Sequence, residues 1–255
     1  MKMTTVAEQT GDRAKALLYG KSGTGKTYTA FSLDQKETLI LSAESGLLTL
    51  AGSTFPVAKI ECWDDVNEAY RELLGDAAKK RYRNIFIDSL SELNELCKVH
   101  IVQVERPGLK GLDIGKVYAE QMTLQDFGLL ATKMIKMVRA FRELPYNVIF
   151  TCLEDSEKDE TTGIIQVKPS LNGKLAGHVS GYFDFVLRMV AKEEDKKTAR
   201  YFFTQSTEKV IAKNRGGALD RLEIPSWAVV FEKMAKNSAE MAAKLAKQTK
   251  AEAAA

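Results

Sequence analysis

The sequence contains few cysteines and histidines and lacks a metal-binding arrangement of them. Its three cysteines, Cys62, Cys97 and Cys152, are far apart, and together with His100 and His178 they make no recognisable metal-binding spacing. Structural zinc sites need four such ligands at characteristic spacings, and this pattern does not supply them. Because free cysteine is among the residues most often buried, we expect three buried, reduced thiols.

Long apolar runs are also missing. No segment approaches the roughly 18 uninterrupted apolar residues of a membrane span, and the opening residues MKMTTVAEQTGDR lack the apolar core of a secretory signal. We therefore expect a cytoplasmic protein with no membrane partner. The charge is nearly balanced, with 37 Lys and Arg against 34 Asp and Glu and a net charge of +3. This balance neither requires nor excludes a polyanionic partner.

The chain has the composition of one globular domain with a tail, at 255 residues, 45% hydrophobic and 28% charged. Short apolar runs alternate with helical patterns, which predicts an α/β fold with a mostly parallel central sheet flanked by helices. We predict an N-terminal extension at 1–14, a core at 15–232, and an Ala- and Lys-rich helical or disordered tail at 233–255.

The apolar runs give the elements of this fold. The predicted parallel strands are Ala16–Tyr19, Thr38–Leu41, Val57–Ile60, Asn84–Ile87 and Asn147–Phe150, and the predicted helices are Lys26–Leu33, Asp64–Leu74 and Thr123–Leu144. In the last helix, spacings of three and four place five apolar residues on one core-facing side: Phe127, Leu130, Met134, Met137 and Phe141. Beyond Thr151, alternating patterns predict antiparallel strands at Phe185–Ala191, Ala199–Thr204 and Lys209–Ala212.

A phosphate-binding loop follows the first strand. The loop residues are Gly20, Lys21, Ser22, Gly23, Thr24, Gly25, Lys26 and Thr27, and Tyr28 begins the next helix-compatible stretch. This is the strand, loop and helix order that the motif requires. Its glycines let backbone N–H groups surround phosphates, Lys26 can reach the β and γ oxygens, and the Thr27 hydroxyl can bind Mg²⁺. We predict that residues 20–28 bind ATP with Mg²⁺.

Two acidic residues follow predicted strands at the same edge of the sheet. Asp88 ends the apolar strand in "RNIFIDSL", where phosphate-loop enzymes place the carboxylate that holds magnesium. Glu44 ends the strand in "TLILSAESGL". A carboxylate there can deprotonate the water that attacks the γ-phosphate, or it can be a solvated loop residue, and spacing alone leaves both interpretations open.

Taken together, these motifs resemble the RecA and RadA recombinases. The phosphate loop, Glu44 and the "IDS" strand carry the likeness, and the segments "KPSLNGKLAGHVSGYFDFVLRM" and "AKNRGG" extend it over most of the chain, from Ala16 to about Glu232. The chain is similar to the core-only RecA-like ATPases of bacteriophages, which include single-strand annealing proteins. The resemblance implies a RecA-like, DNA-stimulated ATPase core at 15–232, located in the host cytoplasm if a phage encodes it.

The resemblance also implies roles for particular residues. Glu44 falls at the position of the catalytic glutamate. Lys213 and Arg215 match two cations that reach the nucleotide of a neighbouring subunit in a filament or ring, although "AKNRGG" also fits a plain turn. Many relatives have a histidine or glutamine as γ-phosphate sensor after the fifth strand. This chain has Thr151 there, which we take as the substitute.

Single-stranded DNA is the partner that the resemblance implies. Two long segments, 103–118 and 154–178, correspond to the loops that grip DNA in such filaments; a flexible lid or a subunit contact is the alternative. The candidate contacts are Arg106, Lys110, Lys116, Tyr118, Lys168 and Lys174. Glu154 to Glu160 make the second segment acidic at its start, which opposes contact with phosphates. The tail lysines fit a solvated face, DNA or a single-strand-binding protein.

Three functions therefore follow from the sequence. The first is an oligomeric ATPase that promotes annealing or homologous recombination of single-stranded DNA. The second is a phosphate-loop kinase acting on a nucleotide or metabolite, although the candidate loops have no arginine cluster for a lid. The third is an ATP-dependent switch that loads a replication partner.

Overall fold

A computed structural model of the chain describes residues 13–44, 46–105, 122–172, 175–194 and 197–252. Its strands are β1 (Lys15–Gly20), β2 (Thr38–Ser42), β3 (Val57–Lys59), β4 (Asn84–Asp88), β5 (Asn147–Lys158), β6 (Ile165–Pro169), β7 (Phe185–Glu194), β8 (Lys197–Phe203), β9 (Lys213–Asn214) and β10 (Leu222–Glu223). Its α-helices are α1 (Trp63–Leu73), α2 (Asp76–Arg81), α3 (Leu90–His100), α4 (Leu124–Glu143), α5 (Leu175–Ser180) and α6 (Trp227–Glu252). Short 3-10 helices cover Thr27–Ser32 and Leu47–Leu50, and a π-helical turn covers Ile101–Glu105.

One sheet organises the described residues. Its strand order is β10-β8-β7-β1-β5-β4-β2-β3, with β6 paired to β5 and β9 paired to β7. The strands from β3 to β7 in this order are parallel, whereas β8, β9 and β10 pair antiparallel. The predicted architecture, a mostly parallel sheet with antiparallel C-terminal strands, is confirmed.

Both faces of the sheet are covered by apolar side chains. Along β1, Leu17 and Tyr19 point into one core cluster, and Ala16 and Leu18 point into the other. This alternation follows from the two-residue period of a strand, and burial on both faces is typical of a parallel sheet. β1 therefore holds its carboxyl end, where the phosphate loop begins, on a rigid base.

Helix α4 confirms the predicted apolar stripe. Leu130, Met134, Met137 and Phe141 are buried, and Phe127 is partly buried against the same cluster. A capping box fixes its start: Thr123 accepts a hydrogen bond from the Asp126 N–H, and the Asp126 carboxylate accepts one from the Thr123 N–H. The stripe belongs to the core.

The helix predicted after the phosphate loop is shorter than expected. In place of Lys26–Leu33, a 3-10 helix covers Thr27–Ser32. The Thr29 and Ser32 hydroxyls donate to the carbonyls of Lys26 and Thr29, local bonds that compete with α-helical pairing. α6 covers this segment: the Trp227 indole N–H donates to Thr29 Oγ1 at 2.9 Å, and the Trp227 backbone N–H donates to Ser32 Oγ at 2.8 Å.

The expected long loop at 154–178 is largely a β-hairpin, so that prediction was wrong. β5 continues to Lys158 and pairs antiparallel with β6. The Asp159 carboxylate accepts the backbone N–H groups of Thr161 and Thr162, which closes the turn between the strands. The charged residues of this segment therefore lie on a two-stranded ribbon.

Smaller expectations also changed. The strand predicted at Lys209–Ala212 is confined to two isolated bridges at Val210, and β9 begins at Lys213. The three thiols are free, but only Cys97 and Cys152 are buried, because Cys62 lies at the exposed start of α1. Over the described part of the chain, no helix has the length and apolar character needed to cross a membrane.

Candidate functional site

The phosphate loop leaves the carboxyl end of β1 in a tight turn. Gly23 and Gly25 adopt φ angles of 75° and 96°, a region that side chains disfavour. The backbone also needs glycine at Gly20, since a Cβ there would lie 2.9 Å from the Met189 carbonyl oxygen. The loop is therefore pressed against β7, and its shape depends on these glycines.

Lys26 lies across the loop. Its ammonium group donates to the Gly20 and Lys21 carbonyls, each at 2.9 Å, and only 8% of the residue is exposed. Burial lowers the pKa of Lys26, and the charges of Glu44 and Asp88 act in the opposite direction. A partly desolvated ammonium group beside backbone N–H groups is suited to bind phosphate oxygens.

A hydrogen-bonded polar cluster near Lys26 consists of Thr27, Asp88 and Thr151. The Thr27 hydroxyl donates to Asp88 Oδ2 at 2.8 Å, and the Thr151 hydroxyl donates to Asp88 Oδ1. Asp88 is 3% exposed and Thr151 is fully buried. The structure thus brings the two predicted metal-binding residues together. It places the Thr151 hydroxyl on the acid, and the sensor role for Thr151 stays a prediction.

The buried environment of the Asp88 carboxyl disfavours its charged form. Burial raises the pKa of Asp88, the Glu44 charge adds to this, and the hydrogen bonds from Thr151 and Thr27 oppose it. A cation bound at Asp88 would restore the favourable environment for the carboxylate. The donor set of a hydroxyl and a carboxylate is the oxygen chemistry that Mg²⁺ prefers, so the residues fit this ion.

We expect Asp88→Asn to stabilise the nucleotide-free protein while reducing ATP hydrolysis by about 100-fold or more, since a metal's charge stabilisation is worth several kcal/mol. Because the Asp88 pKa is raised, its charged form destabilises the folded state above that pKa. The stability difference between the variant and the wild type should therefore be largest there and shrink as the pH falls toward 3.8. Thermal unfolding between pH 4 and 8 without Mg²⁺ measures it. A variant less stable than the wild type at pH 8 would contradict the assignment.

Glu44 lies beside Asp88 at the same edge of the sheet. Its backbone N–H donates to the Asp88 carbonyl at 3.1 Å, and its carbonyl accepts from the Ser42 hydroxyl at 2.8 Å. The Ser89 hydroxyl donates to Glu44 Oε1. The carboxylate is thereby fixed next to the predicted magnesium position. Ser89, which this contact singles out, has no local sequence signal beyond following Asp88.

Lys213 and Arg215 lie at the amino ends of the parallel strands, opposite the carboxyl ends that carry the phosphate loop. Arg215 Nη1 donates to Asp184 Oδ1 at 2.9 Å, and the other oxygen of that carboxylate accepts the Lys15 N–H at the start of β1. Lys213 Nζ donates to the Gly181 carbonyl at 3.2 Å. From Lys15 to Gly20, β1 spans roughly 16 Å at 3.3 Å per residue. Arg215 therefore does not reach the phosphate loop of its own chain.

Only one of the residues predicted to bind DNA lies in the described part of the chain. Lys168, on β6, forms an ion pair with Glu157 across the hairpin, and its side chain is 13% exposed. The five others fall outside the described residues: Arg106, Lys110, Lys116, Tyr118 and Lys174. The DNA-binding role of this set stays a prediction.

Two arginines near the loop had no motif to mark them. Arg188, on β7, forms a two-point ion pair with Glu154, whose side chain is only 8% exposed. Arg200, on β8, donates from Nε to the Thr24 carbonyl at 3.1 Å. Each contact joins distant parts of the chain, so sequence spacing gives no signal for either.

Comparison with known proteins gives one family and one structural likeness. A family model described as an AAA domain matches residues 12–216. Among solved structures, a KaiC-like protein from Pyrococcus horikoshii OT3 is similar with a TM-score of 0.39 and 15% identity, over 77% of this chain and 80% of that one. No curated protein matches the sequence.

Proposed function

The chain belongs to the AAA-domain family, and we propose that it is a Mg²⁺-dependent P-loop ATPase whose subunits share sites and act on single-stranded DNA. The observation that carries the proposal is the separation of the phosphate loop from Arg215. The loop and its acidic residues lie at the carboxyl ends of the parallel strands, and Arg215 lies at their amino ends.

The chain's own residues account for the steps of hydrolysis at one edge. Backbone N–H groups of the loop and the Lys26 ammonium would bind the phosphates. Thr27 and Asp88 would hold Mg²⁺, which would neutralise phosphate charge. Thr151 orients Asp88 through its hydroxyl. Glu44, fixed by Ser89, accepts a proton from the water that attacks the γ-phosphate.

Assembly of subunits supplies the positive charge that each nucleotide site lacks in a single subunit. A cation inserted from a neighbouring subunit stabilises charge on the transferring phosphoryl group and makes hydrolysis depend on assembly. Arg215 has a side chain 61% exposed and lies too far from its own loop to act there. A second copy that places this edge against the first copy's loop would complete the site. A filament or a ring satisfies this requirement.

The sequence supports single-stranded DNA as the proposed partner. Arg106, Lys110 and Lys116 offer contacts to phosphates, and Tyr118 offers a ring for base stacking. Annealing or recombination of single strands is the activity that such an assembly would serve. The acidic hairpin β5–β6 is less suited to DNA, because Glu157 already neutralises Lys168.

The test is steady-state ATP hydrolysis with and without single-stranded DNA, at two salt concentrations and several protein concentrations. We expect DNA to stimulate hydrolysis, less so at high salt, and the rate to rise more than linearly with protein. A rate indifferent to DNA but more than linear in protein would contradict the DNA role alone. A rate that is indifferent to DNA and strictly linear in protein concentration would contradict shared sites as well. A rate that depends on an added phosphate acceptor would identify a kinase.

A further inference from the structure

We propose that Arg200 is a phosphate-contacting residue of the nucleotide site in its own subunit. The proposal rests on the proposed ATPase function and deepens it. The defining contact is the hydrogen bond from Arg200 Nε to the Thr24 carbonyl at 3.1 Å, made across 176 residues of sequence. It brings a guanidinium group onto the phosphate loop itself.

The β7–β8 ribbon explains how Arg200 reaches the loop. β1 ends at Gly20, beside Met189 of β7, but β7 continues to Glu194. β8 returns along it, with Arg200 opposite Ala191, two residues beyond Met189. The ribbon therefore rises past the carboxyl edge of the sheet and forms a wall beside the loop.

The contact with the loop involves Cδ of Arg200 as well as Nε. A Cβ added at Gly25 would lie 3.3 Å from Arg200 Nε and 3.4 Å from its Cδ. The absence of a side chain at Gly25 thus leaves room for the arginine as well as for the turn. Met189 Cε, at 3.7 Å from the same position, closes the space from the β7 side.

No carboxylate among the described side chains balances the charge of Arg200. Among the side chains that the structure describes, Arg200 forms no ion pair with an acidic residue. Arg188 provides the contrast on the same ribbon, since Glu154 binds it at two points. The remaining N–H groups of an arginine whose Nε is already used can bind a phosphate oxygen pair in a planar geometry.

The ligand class is therefore a nucleoside di- or triphosphate, bound through its phosphate chain. Lys26 approaches the phosphates from within the loop, whereas Arg200 approaches from the ribbon at the outer side of Thr24 and Gly25. The Thr24 carbonyl holds the guanidinium in place, so little side-chain entropy is lost when phosphate binds. Arg200 acts in its own subunit, unlike the proposed role of Arg215.

The test compares Arg200→Gln and Arg200→Ala with Arg221→Gln, using a fluorescent ADP analogue. Glutamine keeps an N–H donor for the Thr24 carbonyl but removes the charge. Arg221, stacked on Phe203 at 5.6 Å, supplies a matched charge change on a different residue. We expect both Arg200 variants to raise the Kd about tenfold at low salt and less at high salt, with Arg221→Gln unchanged.

The outcomes separate this proposal from the proposed function. Arg200→Gln binding ADP like the wild type would overturn the phosphate contact, whether or not Arg200→Ala is weakened, because a clamp on the loop needs no charge. A wild-type protein that binds no ADP would instead overturn the ATPase function, and the Arg200 role with it. Equal thermal unfolding of the nucleotide-free variants checks that folding is unaffected.

Discussion

Arg215→Ala is expected to reduce ATP hydrolysis by about 1000-fold while leaving nucleotide binding nearly unchanged. An arginine that reaches a transferring phosphoryl group from a neighbour is worth 10³ to 10⁵ in rate. Its loss costs the fold little, since the Arg215 side chain is 61% exposed in its ion pair with Asp184. Steady-state hydrolysis and binding of a fluorescent ATP analogue separate the two effects, with Arg221→Ala as the control.

Mixing gives the decisive form of this experiment. Lys26→Ala protein lacks a working phosphate loop but keeps Arg215, and Arg215→Ala protein keeps the loop. A hybrid interface that pairs the intact loop of one with the intact arginine of the other should recover part of the activity. Two inactive proteins that stay inactive at every mixing ratio would contradict a site shared between subunits.

Glu44→Gln is the second change with a large expected effect. Glutamine can still accept the Ser89 hydroxyl, so the local geometry is kept while the proton acceptor is lost. We expect hydrolysis to fall by about 10² to 10⁴, the usual contribution of a positioned base. ATP should remain bound, and the assembly should persist in size-exclusion chromatography with ATP.

Glu92→Gln is the matched control for Glu44. Glu92 lies in the first turn of α3, and burial together with the Glu44 charge raises its pKa. It therefore shares the environment of Glu44, but its backbone N–H is bound to Ser89 Oγ and its carboxylate has no proposed role. Hydrolysis near the wild-type rate is expected. Rapid ATP hydrolysis by Glu44→Gln would contradict the catalytic role and support the alternative, that Glu44 is a solvated loop residue.

The parts of the site that the sequence predicted are those built from consecutive residues. The phosphate loop is one continuous segment, and the strand before Asp88 marks that acid by its apolar run. The position of Glu44 was predicted because the carboxyl ends of parallel strands meet at one edge of a sheet, whereas its catalytic role is implied by the resemblance and stays a prediction. In each case a local pattern and a general rule of sheets were sufficient to predict the position of the residue, though not its role.

The parts that the sequence missed have different causes. The bond of Arg200 to Thr24 exists only because β7 and β8 rise beside the loop. The hairpin at β5–β6 was missed because the resemblance assigned this segment to a long DNA-gripping loop. The short helix after the loop was missed because Thr29 and Ser32 redirect its hydrogen bonds.

The contact between α6 and the segment after the phosphate loop gives the molecule its own optical reporter. The chain contains two tryptophans, Trp63 and Trp227, and the Trp227 indole donates to Thr29 Oγ1 at 2.9 Å. Thr29 is two residues from Thr27, so a rearrangement of the loop on binding phosphate changes the surroundings of that ring. Trp63→Phe would leave Trp227 as the single fluorophore. Its emission would then follow nucleotide binding in unlabelled protein, in real time.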